Sequence, residues 1–255
     1  MKKLKSHLKE LQCMNRIILI LIITLSLSPL HIFAASQSIP LKSVLIDLNN
    51  KSSLQRGAQI YMNNCLGCHT LKYQRYIKFI DHLDLPEETI TSNLIFTTNK
   101  SGEPTKIGSL ILNSVNPDHV VEAFGVKPPD LSLIARSRGP DWLYTFLTSF
   151  YVDDSRPLGV NNALYTNVGM PHVLAWMEGL KAPSSENGQY TYIAQGTMSQ
   201  SEYDDAIVDL VNFLVYVSEP AQLDRYRIGF WVILFLGIFS FIAFLLKNEY
   251  WKDVK

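Results

Sequence analysis

The stretch RGAQIYMNNCLGCH, from Arg56 to His69, ends in the spacing C-x-x-C-H. That spacing is typical of the covalent attachment site of a c-type haem. Residues i and i+3 lie on one side of a helical turn, so the thiols of Cys65 and Cys68 can both reach the haem vinyl groups and form thioethers. The adjacent His69 is then placed to supply an axial nitrogen to the iron. The motif therefore predicts a haem c.

Two other kinds of site use a C-x-x-C spacing. A redox-active dithiol normally lies at a strand-to-helix junction within a βαβ pattern, and the sequence after Cys68 has no such pattern. A structural zinc site requires two more cysteines or histidines at matched spacing, and the sequence has no second cluster. A membrane-anchored protein that uses the two cysteines to bind zinc or as a dithiol is the alternative from a different functional class.

The overall composition excludes two broad classes of protein. The chain has 255 residues, and its 23 Lys and Arg balance its 23 Asp and Glu, so there is no basic excess for a nucleic-acid footprint. Three cysteines are too few for a disulfide-stapled scaffold. Charged residues make up only 18% of the chain, which indicates membrane-related segments.

The N-terminus has the pattern of a secretory signal peptide. Five basic residues precede and flank the uncharged run 17–30, and the small pair Ala34-Ala35 follows. We expect residues 1–34 to be a signal peptide cleaved after Ala34, and a retained membrane anchor is the alternative. Because these residues hold five basic and one acidic side chain, the remaining chain has 18 basic and 22 acidic residues, a net charge of −4.

A second hydrophobic run, Ile228–Leu246, contains 19 residues without a charge. As a helix it would be about 28 Å long, close to the thickness of a bilayer's hydrocarbon core. We predict a transmembrane anchor at 225–247, a periplasmic cytochrome c domain at 35–224 and a cytoplasmic tail at 248–255. A cleaved signal peptide sets this orientation, so the protein is expected in the inner membrane with a single span.

Between the two hydrophobic ends, the pattern predicts a mainly α-helical domain with long loops. Helices are expected at 53–65, at 140–151, and from the capping box Ser199-x-x-Glu202 to just before Pro220. Regions 77–118 and 152–195 are expected to be irregular, and no strand alternation is evident. The helix at 140–151 carries aromatic residues at helical spacing that we expect in the core: Trp142, Phe146 and Phe150.

The sixth iron ligand must come from elsewhere in the exported region. The candidates are Met62, Met170, Met177, Met198, His82, His119 and His172. Met170 lies in the stretch NVGMPH, which cannot form a regular helix and can present a side chain from a loop. Met177 and Met198 are interpreted as flexible core fillers. Spacing alone leaves Met170 and His172 nearly equal.

Taken together, these motifs resemble the cytochrome c1 family, the haem-bearing anchored subunit of the ubiquinol–cytochrome c reductase (cytochrome bc1) complex. The resemblance runs from about Arg56 to the hydrophobic anchor. Its pieces, in order, are RGAQIYMNNCLGCH, KPPDLS at 127–132, DWLY at 141–144, NVGMPH at 167–172, GTMSQ at 196–200 and the segment 209–220. Region 77–117 matches the family poorly, and a cysteine pair that some members use for a disulfide is absent.

The resemblance implies a class I cytochrome c-like haem domain with one covalent haem c. It assigns His69 as the proximal ligand and Met170 as the distal ligand. Pro129 is similar to a residue lining the haem edge, and Arg138 resembles an arginine that meets a haem propionate, which a guanidinium can pair in bidentate fashion. A solvated position on a helix end is the alternative for Arg138.

The resemblance also implies electron transfer with no independent substrate chemistry. The haem would receive one electron from the Rieske iron–sulfur subunit and pass it to a soluble cytochrome c, while the anchor helix packs on the cytochrome b subunit in the lipid bilayer. The acidic pairs Glu87-Glu88 and Asp153-Asp154 are candidate docking charges, although solvated loop charges are the favoured interpretation. A free-standing anchored cytochrome that feeds a terminal oxidase is the alternative within the same chemistry.

Overall fold

The C-x-x-C-H motif follows directly on the first helix that the structure describes. A computed structural model describes residues 39–99, 101–183 and 190–252, and the predicted signal peptide lies outside these ranges. Helix α1 spans Lys51–Asn64, close to the predicted bounds. It begins because the Asn50 side chain accepts a hydrogen bond from the Ser53 backbone N–H, at 3.1 Å.

The described chain continues with short helices and strands and ends in two long helices. The helices are α2 (Lys78–Leu83), α3 (Glu87–Asn93), α4 (Pro117–Phe124), α5 (Ile134–Arg138), α6 (Pro140–Leu147), α7 (Ala175–Glu178), α8 (Gln200–Ser218) and α9 (Gln222–Tyr250). The strands are β1 (Leu71–Arg75), β2 (Leu110–Ile111), β3 (Phe150–Val152), β4 (Val160–Asn162), β5 (Gly179–Pro183) and β6 (Tyr190–Gln195). They pair in sequence order into three antiparallel two-stranded sheets.

These elements correct two predictions made from periodicity. Region 77–118 contains α2, α3, β2 and the start of α4, and region 152–195 contains β4, α7, β5 and β6. Each of these elements is only two to eight residues long, so the hydrophobic period of a helix or a strand cannot repeat within it. Strand β1, in addition, buries its side chains in no strict alternation.

The helix expected at 140–151 ends early, at Leu147. The Thr148 hydroxyl donates back to the Tyr144 carbonyl, at 3.0 Å, and the Asn162 side chain donates to the Phe146 carbonyl, at 2.8 Å. These bonds satisfy carbonyls of the last helical turn, and the chain then turns into strand β3, where Phe150 pairs with Asn162. A tertiary partner from β4 therefore helps to end the helix.

The core forms where α1 crosses α8. A Cβ atom on Gly57 would lie 2.1 Å from the Asp209 carbonyl oxygen, so only glycine permits this close approach. Beside it, the Arg56 guanidinium forms two hydrogen bonds to the Asp209 carboxylate, at 2.5 and 2.9 Å. Tyr61 and Phe213 pack across the same interface, with ring centroids 5.7 Å apart.

Helix α8 confirms the prediction from its capping box. The Ser199 hydroxyl accepts from the Glu202 backbone N–H, and the Glu202 carboxylate accepts from the Ser199 backbone N–H. The helix ends at Ser218, before Pro220, as expected. Its buried face supplies much of the core under the haem motif.

Helix α9 is long and apolar enough to cross a membrane over residues Asp224–Tyr250. None of its most hydrophobic stretch is buried inside the protein, which distinguishes it from a core helix. The helix extends beyond the predicted span 225–247 at both ends and includes the first residues of the predicted tail 248–255. Residues 253–255 lie outside the described ranges.

Candidate haem-binding site

A largely apolar cavity of about 400 Å³ lies beside the C-x-x-C-H motif. All six side chains that the sequence singled out line it: Cys65, Cys68, His69, Pro129, Arg138 and Met170. The rest of the wall includes aromatic and aliphatic residues, among them Leu131, Ile134, Trp142, Leu143, Phe146, Val168, Val173, Leu210 and Leu214. The fold thus gathers residues from distant parts of the chain around one hydrophobic space.

The two cysteines lie on a single turn that continues from α1. The backbone N–H groups of Cys68 and His69 both donate to the Cys65 carbonyl, at 3.0 and 2.8 Å, which keeps the motif helical. Cys65 is buried, Cys68 is exposed, and both thiols are free. This spacing and the shared cavity wall fit a haem attached through two thioethers.

The environment of the Cys65 thiol does not favour a zinc site or a redox-active dithiol. Burial, aided by the neighbouring Cys68, raises the pKa of the Cys65 thiol to about 12. The thiolate is the form that binds metals and attacks disulfides, so a raised pKa disfavours both activities. Within the described ranges, no group of three or more His, Cys, Asp or Glu side chains is arranged to hold a metal ion.

The His69 imidazole is oriented by a backbone carbonyl. Its Nδ1 lies 2.7 Å from the Pro129 carbonyl oxygen, and since a carbonyl only accepts, Nδ1 carries the hydrogen. Burial lowers the pKa of His69 against the opposing effects of that hydrogen bond and of Asp130, which favours the neutral ring with the Nε2 lone pair free for a metal. The Tyr61 hydroxyl also donates to the His69 carbonyl, at 2.7 Å.

Asp130 holds the Pro129 segment in place, and the sequence reasoning did not identify it. Its carboxylate accepts hydrogen bonds from the Thr70 hydroxyl at 2.6 Å, the Lys72 N–H at 2.8 Å and the Ser132 N–H at 3.0 Å. Although burial acts to raise the pKa of Asp130, these hydrogen bonds outweigh burial and lower it. The Asp-x-Ser pattern signals the local turn, but the remote partners Thr70 and Lys72 are visible only in the fold.

Met170 lines the cavity from an irregular segment. The preceding Gly169 packs against Val126, where a Cβ atom would lie only 2.6 Å from a methyl carbon. Asn167 adopts a left-handed backbone conformation with φ of 61°. These contacts bring the segment close to the loop that also carries Pro129, with Met170 at the cavity.

His172, the competing ligand candidate, is engaged elsewhere. Its Nε2 donates to the Glu178 carboxylate, at 2.9 Å, and its ring stacks flat on Phe150, with centroids 4.9 Å apart. It is not among the residues that line the cavity. The geometry therefore separates two side chains that spacing left nearly equal.

The other candidate ligands also lie away from the cavity wall. Met62 and Met177 are buried in the core, and Met198 packs against it, so the interpretation of Met177 and Met198 as core residues is confirmed. His82 lies 2.9 Å from the Tyr216 hydroxyl, and His119 is exposed on α4.

The three aromatic residues expected in one core helix have different positions. Phe150, which lies in β3, is buried in the core as predicted, whereas Trp142 and Phe146 of α6 pack against the core and also line the cavity. Their rings stack 5.0 Å apart, and the exposed Arg138 guanidinium lies 5.1 Å from the Trp142 ring centroid. Helical spacing alone does not distinguish a core position from a cavity wall.

The chain matches one protein family over most of its length. The model of the Cytochrome C1 family matches residues 42–254. A cytochrome c1 from Allochromatium vinosum is 45% identical, over 92% of this chain and 98% of that protein. The ammonia monooxygenase gamma subunit of Nitrosomonas europaea is 38% identical, over 94% of this chain and 99% of that protein.

A chain of a solved hyperthermophilic respiratory complex III aligns with 85% of this chain and 89% of its own length, at 15% identity and a TM-score of 0.39. Cytochromes c1 are membrane-anchored subunits of the bc1 complex that carry covalently bound haem c and transfer electrons. Since the family model spans most of its length, this chain belongs to the cytochrome c1 family and is a haem c-carrying electron-transfer subunit of the bc1 complex.

Proposed function

We propose that Cys65 and Cys68 attach the haem covalently and that His69 and Met170 are its two axial ligands. The observation that carries this proposal is that all four side chains line one apolar cavity, although Met170 is remote from the motif in sequence. When bound, haem c takes up and releases one electron at its iron. The protein's part is to hold the ligands, exclude water and adjust the potential.

The Pro129 carbonyl sets the orientation of the proximal imidazole. Its hydrogen bond to Nδ1 fixes the tautomer of His69 and makes Nε2 a more basic ligand. Asp130 keeps this carbonyl in place through its bonds to Thr70 and Lys72. On the distal side, the thioether of Met170 is a ligand that raises the reduction potential relative to a second imidazole.

Side chains that line the cavity set the polarity and the charge around the haem. Trp142, Phe146 and Leu210 line the cavity with apolar surface, which keeps water away and favours a higher potential. Arg138 is exposed at the same cavity, where its guanidinium can pair with a haem propionate at the water-facing edge. Pro129 lines the wall and orients His69 through its carbonyl.

Within the bc1 complex, this chain relays electrons from the Rieske iron–sulfur subunit to a soluble cytochrome c. Helix α9 packs on the cytochrome b subunit. The net charge of −4 expected after signal removal would attract a basic carrier. Glu87 and Glu88 are exposed at the start of α3. Asp153, in contrast, accepts hydrogen bonds from Ser155 and Asn161 and stabilises its own turn.

The haem domain faces the periplasm, and the C-terminus lies in the cytoplasm. This orientation is supported by the signal-peptide pattern at residues 1–34 together with the anchor at 225–247. The basic flanks of the anchor differ too little to set it. In this orientation the haem lies on the exported side of the membrane.

The first test is a reduced-minus-oxidised spectrum of the detergent-solubilised protein, with a haem-stained denaturing gel. We expect a c-type α band and stain that stays on the polypeptide. The absence of both, in cells able to mature c-type cytochromes, would contradict the attachment site. Copurification of a b-type cytochrome tests the membrane partner, and its absence under mild detergent would contradict the contact proposed for α9.

A further inference from the structure

A buried polar cluster lies just beyond Met170 in the chain. The side chains of His172, Glu178 and Lys181 are only 5%, 1% and 12% exposed. One Glu178 oxygen accepts from His172 Nε2, at 2.9 Å, and the other accepts from Lys181 Nζ. Lys181 Nζ also donates to the Thr148 carbonyl, at 3.0 Å. None of the three cluster residues lines the haem cavity.

Further contacts hold the segment that follows Met170 in place. The His172 ring stacks on the buried Phe150 of β3, with an interplanar angle of 1°. Leu174 and Met177 insert into the core. The Trp176 indole donates to the Asn64 side chain, at 3.0 Å, and Asn64 immediately precedes Cys65. The segment that carries Met170 is thus tied to the strand pair, to the core and to the end of α1.

These side-chain contacts matter because the segment has little regular structure to hold it. Its only helix, α7, is four residues long. A buried carboxylate is costly unless it keeps its partners, so any movement that pulls His172 away from Glu178 is penalised. The cluster therefore opposes displacement of residues 170–178 from the cavity.

We propose that His172 is a positioning residue: its bond to Glu178, itself anchored by Lys181, keeps the Met170 sulfur at the iron. The proposal rests on Met170 being the distal ligand. An axial ligand on a loop exchanges with added ligands only when its segment moves away. Apparent affinity for such a ligand is the intrinsic affinity multiplied by the fraction of molecules in the open state.

The test is a titration of the full-length ferric protein in detergent with imidazole. His172→Phe keeps a ring that can stack on Phe150 but loses the donor to Glu178. We expect it to raise the apparent imidazole affinity roughly 10-fold or more and to weaken the long-wavelength absorption that marks sulfur ligation of ferric haem. His172→Gln retains an N–H donor and should lie closer to the unmutated protein.

His82→Phe is the matched control. It removes another histidine whose ring nitrogen has a polar partner at 2.9 Å, the Tyr216 hydroxyl, away from the cavity. It should leave the imidazole affinity unchanged. An unchanged affinity in His172→Phe, or an equal rise in both variants, would overturn the proposal.

Two further outcomes are decisive. If His172→Phe yields no haem protein, Lys181→Met takes its place. This variant removes the ammonium group that links Glu178 to the Thr148 carbonyl, so it must also raise the imidazole affinity. Unchanged affinity there overturns the proposal. If the unmutated ferric protein lacks the sulfur band, the assignment of Met170 fails, which is distinct from a failure of the positioning role.

Discussion

In the proposed haem site, the proximal residues Cys65, Cys68 and His69 come from five consecutive positions, whereas the distal ligand Met170 comes from a remote, irregular segment. The proximal side continues from helix α1, and its backbone hydrogen bonds keep the motif on one turn. The distal side is held by packing and by side chains that contact β3 and β5. One side follows from local geometry, and the other from tertiary contacts.

The two sides also differ in the burial of the carboxylate that holds each of them in place. On the proximal side, Asp130 bonds to backbone and hydroxyl donors, and it is partly accessible to water. On the distal side, Glu178 is buried between His172 and Lys181. Loss of a partner in the buried cluster leaves a charge without compensation, so the distal side should be the more easily loosened.

Removal of both proximal thiols should have the largest effect. The double variant Cys65→Ala, Cys68→Ala should lose all haem stain on a denaturing gel, because no thioether can form. Cys13→Ala is the matched control, since Cys13 lies in the predicted signal peptide, and it should keep full stain. Stain retained by the double variant would place the attachment elsewhere.

Met170→Leu should separate the distal side from the proximal side. We expect haem to remain covalently attached while the midpoint potential falls by on the order of 100 mV, since axial ligands tune haem potentials over about 0.8 V. Met177→Leu, at a buried core position, is the control and should leave the potential unchanged. A redox titration in which only Met177→Leu lowers the potential would reverse the assignment.

Gly57→Ala tests the close crossing of α8 with α1, the helix that leads into the proximal residues. The added Cβ atom would overlap the Asp209 carbonyl, so unfolding should become easier by about 1–3 kcal/mol. Gly67→Ala lies inside the haem motif with open space around its Cβ position and should change stability far less. Denaturant titration of both variants measures the difference, and equal stabilities would contradict the close crossing of α1 and α8.

Asp130→Ala should shift the potential in the opposite direction from Met170→Leu. A looser Pro129 carbonyl weakens its bond to His69, makes the imidazole less basic and favours the reduced iron. We expect a rise of a few tens of millivolts, less than the roughly 59 mV of a tenfold change in a one-electron equilibrium. Asp153→Ala removes a turn aspartate away from the cavity and should not alter the potential.

The smallest expected effect is on acid stability. Because the folded-state pKa of Asp130 is lowered, its ionised form stabilises the fold above the ordinary carboxyl pKa of about 3.9, and this contribution is lost as the pH falls through the lowered value. Asp130→Asn should therefore flatten the loss of stability over that acidic range. Identical pH profiles of unfolding for the two proteins would contradict the role of the Asp130 hydrogen bonds.

Sequence patterns predicted the long elements well and the short ones poorly. The haem helix was visible from its sustained apolar period, and α8 was visible because a capping box and such a period coincide. Strand β3 was hidden inside a predicted helix because its place is set by pairing with Asn162 of β4, which no local signal encodes. Elements of a few residues depend on such partners more than on their own propensity.

The same division applies to the haem site. The motif at Cys65, Cys68 and His69 was decided by the sequence, because the spacing of five neighbouring residues on a helical turn already determines what they can reach. Spacing did not decide between Met170 and His172, since both occur in one loop with similar ligand chemistry, and it was the family resemblance that favoured Met170. The fold separates the two residues on independent grounds, because it engages His172 with Glu178 and Phe150 and places Met170 at the cavity. Contacts between remote segments are set by packing, and local spacing carries no information about them.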